Sequence, residues 1–427
     1  MEAETPMTAK IARLGSLIKL VILRGVLSVG GVSFALVLAE LSVRIYDQRF
    51  APQENADATL MMRGVPWGWS YVPNARSQHS SPEGGEHELI INSLGLRDRE
   101  YALEKPERIF RILLLGDSYG DDARVPPGSI YHELAEERLN QELDTRIEVL
   151  NASVEGWSTD QQLVYYEEKG RQFESDLVLL AFCMCNDTQG NYEGWSYENK
   201  PTFGMRDGNL VQVEFPDGAS ASRKDSVVVD FEATSIKTDP RRSIPIQIRK
   251  WASENLRLFR YVRAAGNSVP SINRALIRIG LREDIRQIHQ IFMVEEPPEV
   301  IESWIVTKAL LERLHREVRQ DGAELAVFVI HSPYQVETTY WWESEFEFYP
   351  AMNEIKWDLR RPDFILNDVL EDEGIPYFFL VDEFANYVEQ TGNLTTWEGD
   401  PHWNLIGHEL AGRLMAEWLL ESGLLSR

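Results

Sequence analysis

Cysteine is nearly absent from the 427 residues, which contain only Cys183 and Cys185. Two cysteines two positions apart fit neither a zinc-ligand spacing nor a disulfide framework. A bridge within C-x-C would be strained, and both residues end a predicted buried strand. We therefore expect them to pack as small hydrophobic side chains and not to form a redox pair.

Basic residues are also scarce. The chain has 43 Lys and Arg but 68 Asp and Glu, which gives a formal net charge of −25 at pH 7. This charge repels nucleic acid phosphates and anionic lipid headgroups, so nucleic acid is not an expected partner. The acidic residues follow predicted helix faces such as "HELAEERLNQELD", which is typical of a solvated surface. The sequence lacks a cluster of metal ligands and a phosphate-binding loop, and we expect no metal and no organic cofactor.

One long apolar run is present near the N-terminus. From Leu20 to Ala39 it reads "LVILRGVLSVGGVSFALVLA", which is long enough to cross a bilayer and has Arg24 as its only charge. Three basic residues precede it, namely Lys10, Arg13 and Lys19, and no A-x-A cleavage site ends it. The run predicts an uncleaved anchor over residues 20–43, with residues 1–19 cytoplasmic and the rest periplasmic or extracellular. A buried core helix is the alternative, but no nearby segment offers it a partner.

The chain after the anchor divides into a juxtamembrane segment and one large domain. Residues 44–107 are rich in Pro, Gly, Ser and charge. Over residues 108–427, aliphatic runs alternate with amphipathic helical stretches, which predicts an α/β domain whose mainly parallel sheet has helices on both faces. The alternation stops at about residues 188–298, which predicts an insertion. The strand candidates are "RILLLG", "IEVLNA", "LVLLAF", "ELAVFVI" and "IPYFFL".

The first strand candidate leads into "GDSYG", which contains Ser118. This pentapeptide matches G-x-S-x-G, the strand-to-helix turn that carries the nucleophile of α/β-hydrolases. In that fold a helix follows the turn at once, whereas "DDARVPPGS" places two prolines there. The strand also opens its domain instead of lying in the middle of the sheet. The match through Gly120 is therefore a weak indication of that fold.

Three further short motifs follow in the order of the predicted elements. "NASVEGWS" contains Gly156 after the second strand, and "CND" contains Asn186 after the third. "GDPHWN" contains Asp400 and His402 near the C-terminus. Together with the "GDS" turn, this arrangement resembles the SGNH, or GDSL-type, hydrolases. The resemblance covers residues 108 to about 420 apart from the insertion, and it implies a flavodoxin-like three-layer sandwich.

The chemistry of acyl transfer gives these residue types a reason. A serine hydroxyl is a poor nucleophile until a base accepts its proton and a carboxylate orients the base. His402 and Asp400 suit these roles, because residues i and i+2 of an extended segment point to the same side. Pro401 between them favours an extended backbone. The sequence thus predicts a catalytic triad with Ser118 as the nucleophile.

The family resemblance also implies an oxyanion hole, formed by the backbone N–H groups of Ser118 and Gly156 and the side-chain amide of Asn186. Such donors contribute roughly 3 kcal/mol each. Each residue has a plainer interpretation as well, since Ser118 and Asp117 suit a turn, Gly156 a tight turn and Asn186 a cap after a strand. His402, likewise, can simply precede the last helix. We prefer the catalytic interpretation because four motifs occur in the right order.

Other candidates for the acid and the base are less favoured. Asp117 lies next to the nucleophile, so we expect it to organise the backbone and not to serve as the triad acid. His331 ends a predicted strand and His408 lies in the last predicted helix. Neither histidine has an acid two or three residues before it.

One departure from the family pattern concerns the acyl acceptor. The acid of the family stands three residues before the histidine, where this chain has Gly399, while Asp400 stands two before. The D-x-H-W form resembles the polysaccharide O-acetyltransferase branch of the superfamily. Hydrolysis and acyl transfer share an acyl-enzyme and differ in whether water or a sugar hydroxyl resolves it.

These observations predict a membrane-anchored serine ester hydrolase, an acyl or acetyl esterase that acts through an acyl-enzyme on an acyl ester or acylated carbohydrate. One alternative is an O-acyltransferase that acts on envelope or extracellular polysaccharide. The other is a non-catalytic envelope scaffold or glycan-binding protein. No protein partner is identified. Aromatic residues that offer platforms for sugar rings are Tyr192, Trp195, Tyr197, Trp341 and Trp342.

Overall fold

The computed structural model describes residues 6–50, 60–82, 85–192, 200–213 and 246–426. The described parts of Asn55–Thr238 and Asp284–Arg427 form the larger of two units, and those of Met1–Glu54 and Asp239–Glu283 form the smaller.

The strands are β1 (Met61–Val65), β2 (Gly68–Tyr71), β3 (Arg76–Ser80), β4 (Glu86–Ile90), β5 (Ile109–Gly116), β6 (Arg146–Ser153), β7 (Leu177–Cys183), β8 (Thr202–Arg206), β9 (Asn209–Val213), β10 (Glu324–Ile330), β11 (Tyr377–Phe379), β12 (Thr396–Trp397) and β13 (Asp400–Trp403). The helices are α1 (Pro6–Phe50), α2 (Tyr131–Glu142), α3 (Thr159–Glu168), α4 (Asp187–Gly190), α5 (Ile246–Asn255), α6 (Arg257–Ser268), α7 (Pro270–Arg278), α8 (Pro298–Gln320), α9 (Pro333–Val336), α10 (Trp342–Phe348), α11 (Arg361–Glu373), α12 (Val381–Thr391) and α13 (Leu405–Ser422). Short 3₁₀ helices cover Gly170–Phe173, Gln287–Phe292 and Pro350–Glu354.

The five predicted strands form one parallel sheet in the order β11-β10-β7-β5-β6. Numbered along the chain, this is the 2-1-3-4-5 order of flavodoxin-like folds. The order reverses between β5 and β7, and in open α/β sheets such a switch point lies beneath the ligand site. The predicted fold class is therefore confirmed, and the turn after β5 lies at the switch point.

Alternating side chains of β5 pack against different helical layers, which makes the larger unit a three-layer sandwich. Ile112 and Leu114 belong to a core cluster shared with α2 and α13. Leu113 points to the other face, where its Cδ2 atom lies 3.1 Å from the place a Cβ on Gly170 would take. On that face α3 packs against α8. This alternation is the period of two that a strand imposes on its side chains.

Residues 60–107, part of the predicted juxtamembrane segment, contribute two antiparallel hairpins to the larger unit. The Tyr101 hydroxyl donates a hydrogen bond to the carbonyl oxygen of Val149 in β6, at 2.8 Å. The indole N–H of Trp157 donates to the carbonyl oxygen of Trp69 in β2, at 3.1 Å. These residues therefore pack against the sheet.

The predicted insertion at about residues 188–298 is divided between the two units. The hairpin β8–β9 belongs to the larger unit, whereas α5, α6 and α7 belong to the smaller one. In the smaller unit these helices accompany α1, which contains the predicted anchor. Within the described residues, α1 holds the one stretch long and apolar enough to cross a membrane, Leu23–Arg49, with mean hydropathy 2.0 and none of it buried.

The expectation for the two cysteines is wrong, because Cys183 and Cys185 form a disulfide. β7 ends at Cys183, and the turn that follows leaves the two Cα atoms 5.2 Å apart. In the part of the chain that the structure describes, one close group of metal-ligand side chains exists, Asp117 with these two cysteines. Sulfur in a disulfide is not a thiolate, the form that binds metals.

The packing of α13 on α2 gives a test of this fold. A Cβ on Gly412 would lie 2.7 Å from the carbonyl oxygen of Tyr131 and 2.8 Å from the Cβ of Leu134, so the helices touch through the glycine. We expect Gly412→Ala to lower the free energy of unfolding by about 1–3 kcal/mol, measured by denaturant unfolding. On the exposed side of the same helix, Glu409→Ala should change it by less than about 0.5 kcal/mol. Equal effects of the two substitutions would contradict this packing.

Candidate active site

Ser118 lies in a tight turn directly after the central strand β5. The turn is closed by hydrogen bonds to the carbonyl oxygen of Asp117 from the backbone N–H groups of Gly120 and Asp121, both at 3.1 Å. Gly120 is needed for a close approach, because a Cβ there would lie 2.2 Å from the Oγ of Ser153 in β6. Gly120, the final glycine of "GDSYG", is therefore required because the serine turn packs closely against the end of β6.

The structure brings the predicted nucleophile, base and acid together. The Oγ atom of Ser118 lies 2.8 Å from Nε2 of His402, although the two residues are 284 positions apart. Nδ1 of His402 lies 2.6 Å from Oδ1 of Asp400, which also accepts the backbone N–H of His402 at 3.0 Å. Both residues belong to strand β13, so the side chains at i and i+2 share one side. The histidine thus connects the serine hydroxyl to a carboxylate.

Arg124, which the sequence analysis did not select, holds the other side of the acid. Its guanidinium donates to Oδ2 of Asp400 at 2.7 Å and to Oδ1 of the buried Asp122 at 2.6 Å. Partial burial raises the pKa of Asp400, but the hydrogen bonds from His402 and the charges of His402 and Arg124 outweigh it and lower the pKa to about 2. Asp400 is therefore a carboxylate at neutral pH.

Asp117 does more than organise the turn. Its Oδ1 atom accepts the backbone N–H of Tyr119 at 3.0 Å, and its Oδ2 atom accepts the side-chain amide of Asn186 at 2.8 Å. Asp117 is fully buried, and this burial raises its pKa despite both hydrogen bonds. The residue therefore fixes the amide that the family resemblance assigns to the oxyanion hole. The motif "GDS" alone gave no indication that Asp117 contacts Asn186.

Gly156, the remaining predicted donor, lies in the loop after β6 with a φ of 76°. This left-handed conformation favours glycine. The loop is held to the serine turn, because the backbone N–H of Glu155 donates to Oδ2 of Asp121 at 3.2 Å. A Cβ on Gly156 would also lie 3.5 Å from the ring of Trp69, so β2 borders this loop.

The two less favoured candidates for the base, His331 and His408, are buried in the core. His331 is buried against Phe384, and burial lowers its pKa to about 3. His408 is also buried, which lowers its pKa, and its Nδ1 atom accepts the backbone N–H of Tyr131 at 3.3 Å. Both histidines have structural contacts, whereas His402 contacts the serine.

The aromatic platforms are less available than the sequence suggests. Trp342 is only 7% exposed and packs against Trp357 and His289, so it belongs to the core. The N–H of Trp341 donates to Glu337 and Thr396, both at 3.0 Å. Trp195 and Tyr197 lie outside the described residues.

Solved structures that are similar to this chain include lipases and esterases. The acetyl xylan esterase AlAXEase is 10% identical with a TM-score of 0.35, and the likeness covers 73% of this chain and 99% of that one. A lipase/acylhydrolase from Enterococcus faecalis is 11% identical with a TM-score of 0.34, covering 72% and 94%. A GDSL-like lipase from Parabacteroides merdae is 11% identical with a TM-score of 0.34, covering 74% and 95%.

One of these neighbours is described as a GDSL-like lipase, and the other two as an acetyl xylan esterase and a lipase/acylhydrolase. No protein-family model and no curated protein sequence matches the chain. Identities near 10% and TM-scores below 0.5 carry no argument about activity. The functional conclusion therefore rests on the geometry of the site.

A buried acid behind the serine turn predicts a pH dependence of stability. Asp121 accepts the hydroxyl of Tyr71, and burial raises its pKa to about 7. Because the folded state binds this proton more tightly than the unfolded state, the acid lowers stability as the pH rises from about 4 to about 7, by up to about 1.4 kcal/mol per pH unit. We expect Asp121→Asn to remove this fall, measured by denaturant unfolding at several pH values.

The exposed Asp372 supplies the control for this measurement. Asp372→Asn should not reproduce the effect of Asp121→Asn. A constant difference between the wild type and Asp121→Asn across this pH range would contradict the raised pKa.

Proposed function

We propose that this protein is a serine ester hydrolase that forms an acyl-enzyme on Ser118. The observation that carries the proposal is the continuous hydrogen-bonded chain Ser118–His402–Asp400 at 2.8 and 2.6 Å. Its position beyond the carboxyl end of the central strand, at the switch point of the sheet, supports the same conclusion. A non-catalytic scaffold does not require these three side chains in this geometry.

The proposed reaction starts with His402, which accepts the proton of Ser118 at Nε2 while Oγ attacks the ester carbonyl carbon. The negative charge on the carbonyl oxygen faces the N–H groups of Ser118 and Gly156 and the amide of Asn186. When the tetrahedral intermediate collapses, the alcohol leaves with the proton from His402. In the second half of the reaction, His402 accepts a proton from water while the water oxygen attacks the carbonyl carbon of the acyl-enzyme. Collapse of this second intermediate releases the acid, and Ser118 leaves with the proton from His402.

Asp400 has a separate task in this mechanism, which is to hold His402 in one tautomer. A carboxylate at Nδ1 keeps the proton on that nitrogen, so Nε2 is free to accept the serine proton. The carboxylate also stabilises the imidazolium that forms during attack. Arg124 orients Asp400 through its second oxygen, so both oxygens of the acid have fixed partners.

We further propose that α1 anchors the protein in a membrane, with the larger unit on the periplasmic or extracellular side. The exposed apolar residues of α1 support the anchor, because no other part of the described chain covers them. The disulfide Cys183–Cys185 supports the sidedness, since disulfides persist in oxidising compartments and are rare in the cytosol.

O-acyl transfer to a polysaccharide hydroxyl is the second candidate, and the D-x-H-W sequence favours it. Trp403 is fully buried and packs edge-on against Tyr119, the residue after the nucleophile, with ring centres 4.8 Å apart. Trp403 therefore has a packing role in the core, and its presence in the D-x-H-W sequence does not require a role in acyl transfer. We therefore place hydrolysis first.

Covalent labelling tests the nucleophile. A fluorophosphonate probe should label the wild type, and Ser118→Ala should abolish labelling and lower kcat for a p-nitrophenyl ester by about 10³-fold or more. Ser129→Ala, in the same connection between β5 and α2, is the matched control and should retain both. Labelling that persists in Ser118→Ala, or a folded wild type that is neither labelled nor active, would refute the proposal.

The products formed with an acetyl donor distinguish hydrolysis from transfer. We expect free acetate as the main product in the absence and in the presence of oligosaccharide acceptors, measured by mass spectrometry of the sugars and an acetate assay. Ser118→Ala should release no acetate above the uncatalysed rate. If acetylated sugar is the main product, the acyltransferase replaces the esterase.

A further inference from the structure

The smaller unit contains a local excess of positive charge in a strongly acidic protein. Residues 246–282 include eight Arg or Lys and one Glu, whereas the whole chain has a net charge of −25. Three of these arginines, Arg260, Arg263 and Arg278, have exposed side chains. Residues 246–282 are therefore positively charged, although the whole chain is negatively charged and repels anionic surfaces.

This basic segment is attached to α1 directly beyond its apolar run. The carboxylate of Glu40 accepts the backbone N–H groups of Arg257 and Leu258 at 3.0 and 2.8 Å, so it caps the start of α6. Asp47 accepts hydrogen bonds from Arg257 and from Tyr261, the latter at 2.6 Å. These contacts tie α6 to the end of the proposed membrane span.

If the apolar run Leu20–Ala39 fills the hydrocarbon core, the attachment of α6 to α1 lies at the depth of the lipid headgroups. The run Leu20–Ala39 spans about 30 Å as a helix, which matches the hydrocarbon core. Glu40 to Asp47 covers about 10 Å more, which reaches through the headgroup layer. If α1 crosses the bilayer, α6 therefore starts in this layer.

Among the described side chains, α5 and α6 expose apolar residues, and α6 and α7 expose basic ones. Exposed apolar residues occur on α5 and α6 and directly after α6 and α7: Ile248, Trp251, Tyr261, Val262, Val269 and Ile279. In α6 the arginines recur at every third position, at 257, 260 and 263, and so follow one side of the helix. A basic amphipathic helix of this kind suits the boundary between headgroups and acyl chains.

The hairpin of α6 and α7 is held in a defined shape. A Cβ on Gly266 would lie 3.0 Å from Leu276, so the helices are in close contact. Arg282 bridges them by donating to Asn273 in α7 at 2.6 Å and to the carbonyl oxygen of Arg263 in α6 at 2.5 Å. The exposed arginines therefore project from a fixed support.

We propose that α5, α6 and α7 form an interfacial foot that binds the anionic phospholipid headgroups of the membrane that α1 spans. The apolar side chains lie at the acyl boundary, and Arg260, Arg263 and Arg278 pair with lipid phosphates. This inference rests on the proposed anchor but not on the chemistry of Ser118. The foot attaches the protein at a second point besides the transmembrane helix.

Site-directed labelling of the full chain in lipid nanodiscs tests the foot. Both native cysteines form the disulfide, so Val262→Cys offers the one free thiol for an environment-sensitive dye. We expect headgroup spin-labelled lipid to quench this dye strongly in discs that contain phosphatidylglycerol and weakly in phosphatidylcholine discs. A dye at Asp372→Cys, which is exposed in the larger unit, should not be quenched.

Charge reversal then tests the arginines. Arg260→Glu, Arg263→Glu and Arg278→Glu together should abolish the quenching in anionic discs, because each arginine near such a surface contributes about fivefold to binding. The matched control reverses three exposed arginines of the larger unit, Arg206, Arg316 and Arg319, and should leave quenching unchanged. Thermal unfolding of each variant checks that it is folded.

The other outcomes overturn the inference in distinguishable ways. If the chain enters the discs but the Val262→Cys dye is unquenched, or equally quenched in neutral and anionic lipid, the foot is wrong and the anchor stands. If the triple reversal has no more effect than its control, the arginines do not bind headgroups. If the chain does not associate with discs, the anchor and the foot both fail, while the probe labelling of Ser118 is unaffected.

Discussion

The contact between α2 and α13 fixes where His402 can be. β13 runs directly into α13, and Asn404 between them caps the helix by accepting the backbone N–H of Gly407 at 3.0 Å. Because α13 touches α2 through Gly412 without a side chain between them, the start of α13 has little freedom. Buried Glu337 holds the neighbouring strand β12 through the backbone N–H groups of Thr395 and Thr396. His402 is therefore positioned by packing, and its 2.8 Å contact with Ser118 follows from that position.

The insertion takes part in supporting the site. Lys200, just before hairpin β8–β9, is fully enclosed and donates to Asp160 at 2.8 Å and to the carbonyl oxygen of Gly190 at 2.9 Å. Gly190 ends α4, the short helix that follows Asn186. Burial raises the pKa of Asp187 well above its usual range, with the neighbouring charge of Asp117 adding to the effect. The buried lysine supplies positive charge beneath this cluster of acids.

The strands and the four motifs could be predicted because their signals are local in sequence. Each strand is a continuous aliphatic run, and Asp400 and His402 are close enough for strand geometry to align them. Contacts between distant residues left no such signal, which is why Arg124 was missed. The hydrogen bond between Tyr71 and Asp121 was missed for the same reason. It joins the predicted juxtamembrane segment to the serine turn, and the composition of that segment indicated only that it is polar. The disulfide depends on a turn whose shape is set by the tertiary fold and not by the spacing C-x-C.

The distance in sequence between Ser118 and His402 has a consequence for biogenesis. A chain that is synthesised and translocated from its N-terminus presents the serine turn long before β13 exists. Until α13 has docked, Ser118 lacks its base and has the low reactivity of an ordinary alcohol. On the proposed export and the proposed triad, Ser118 is therefore unreactive until the C-terminal strand is in place, and the completion of folding is also the step that activates it.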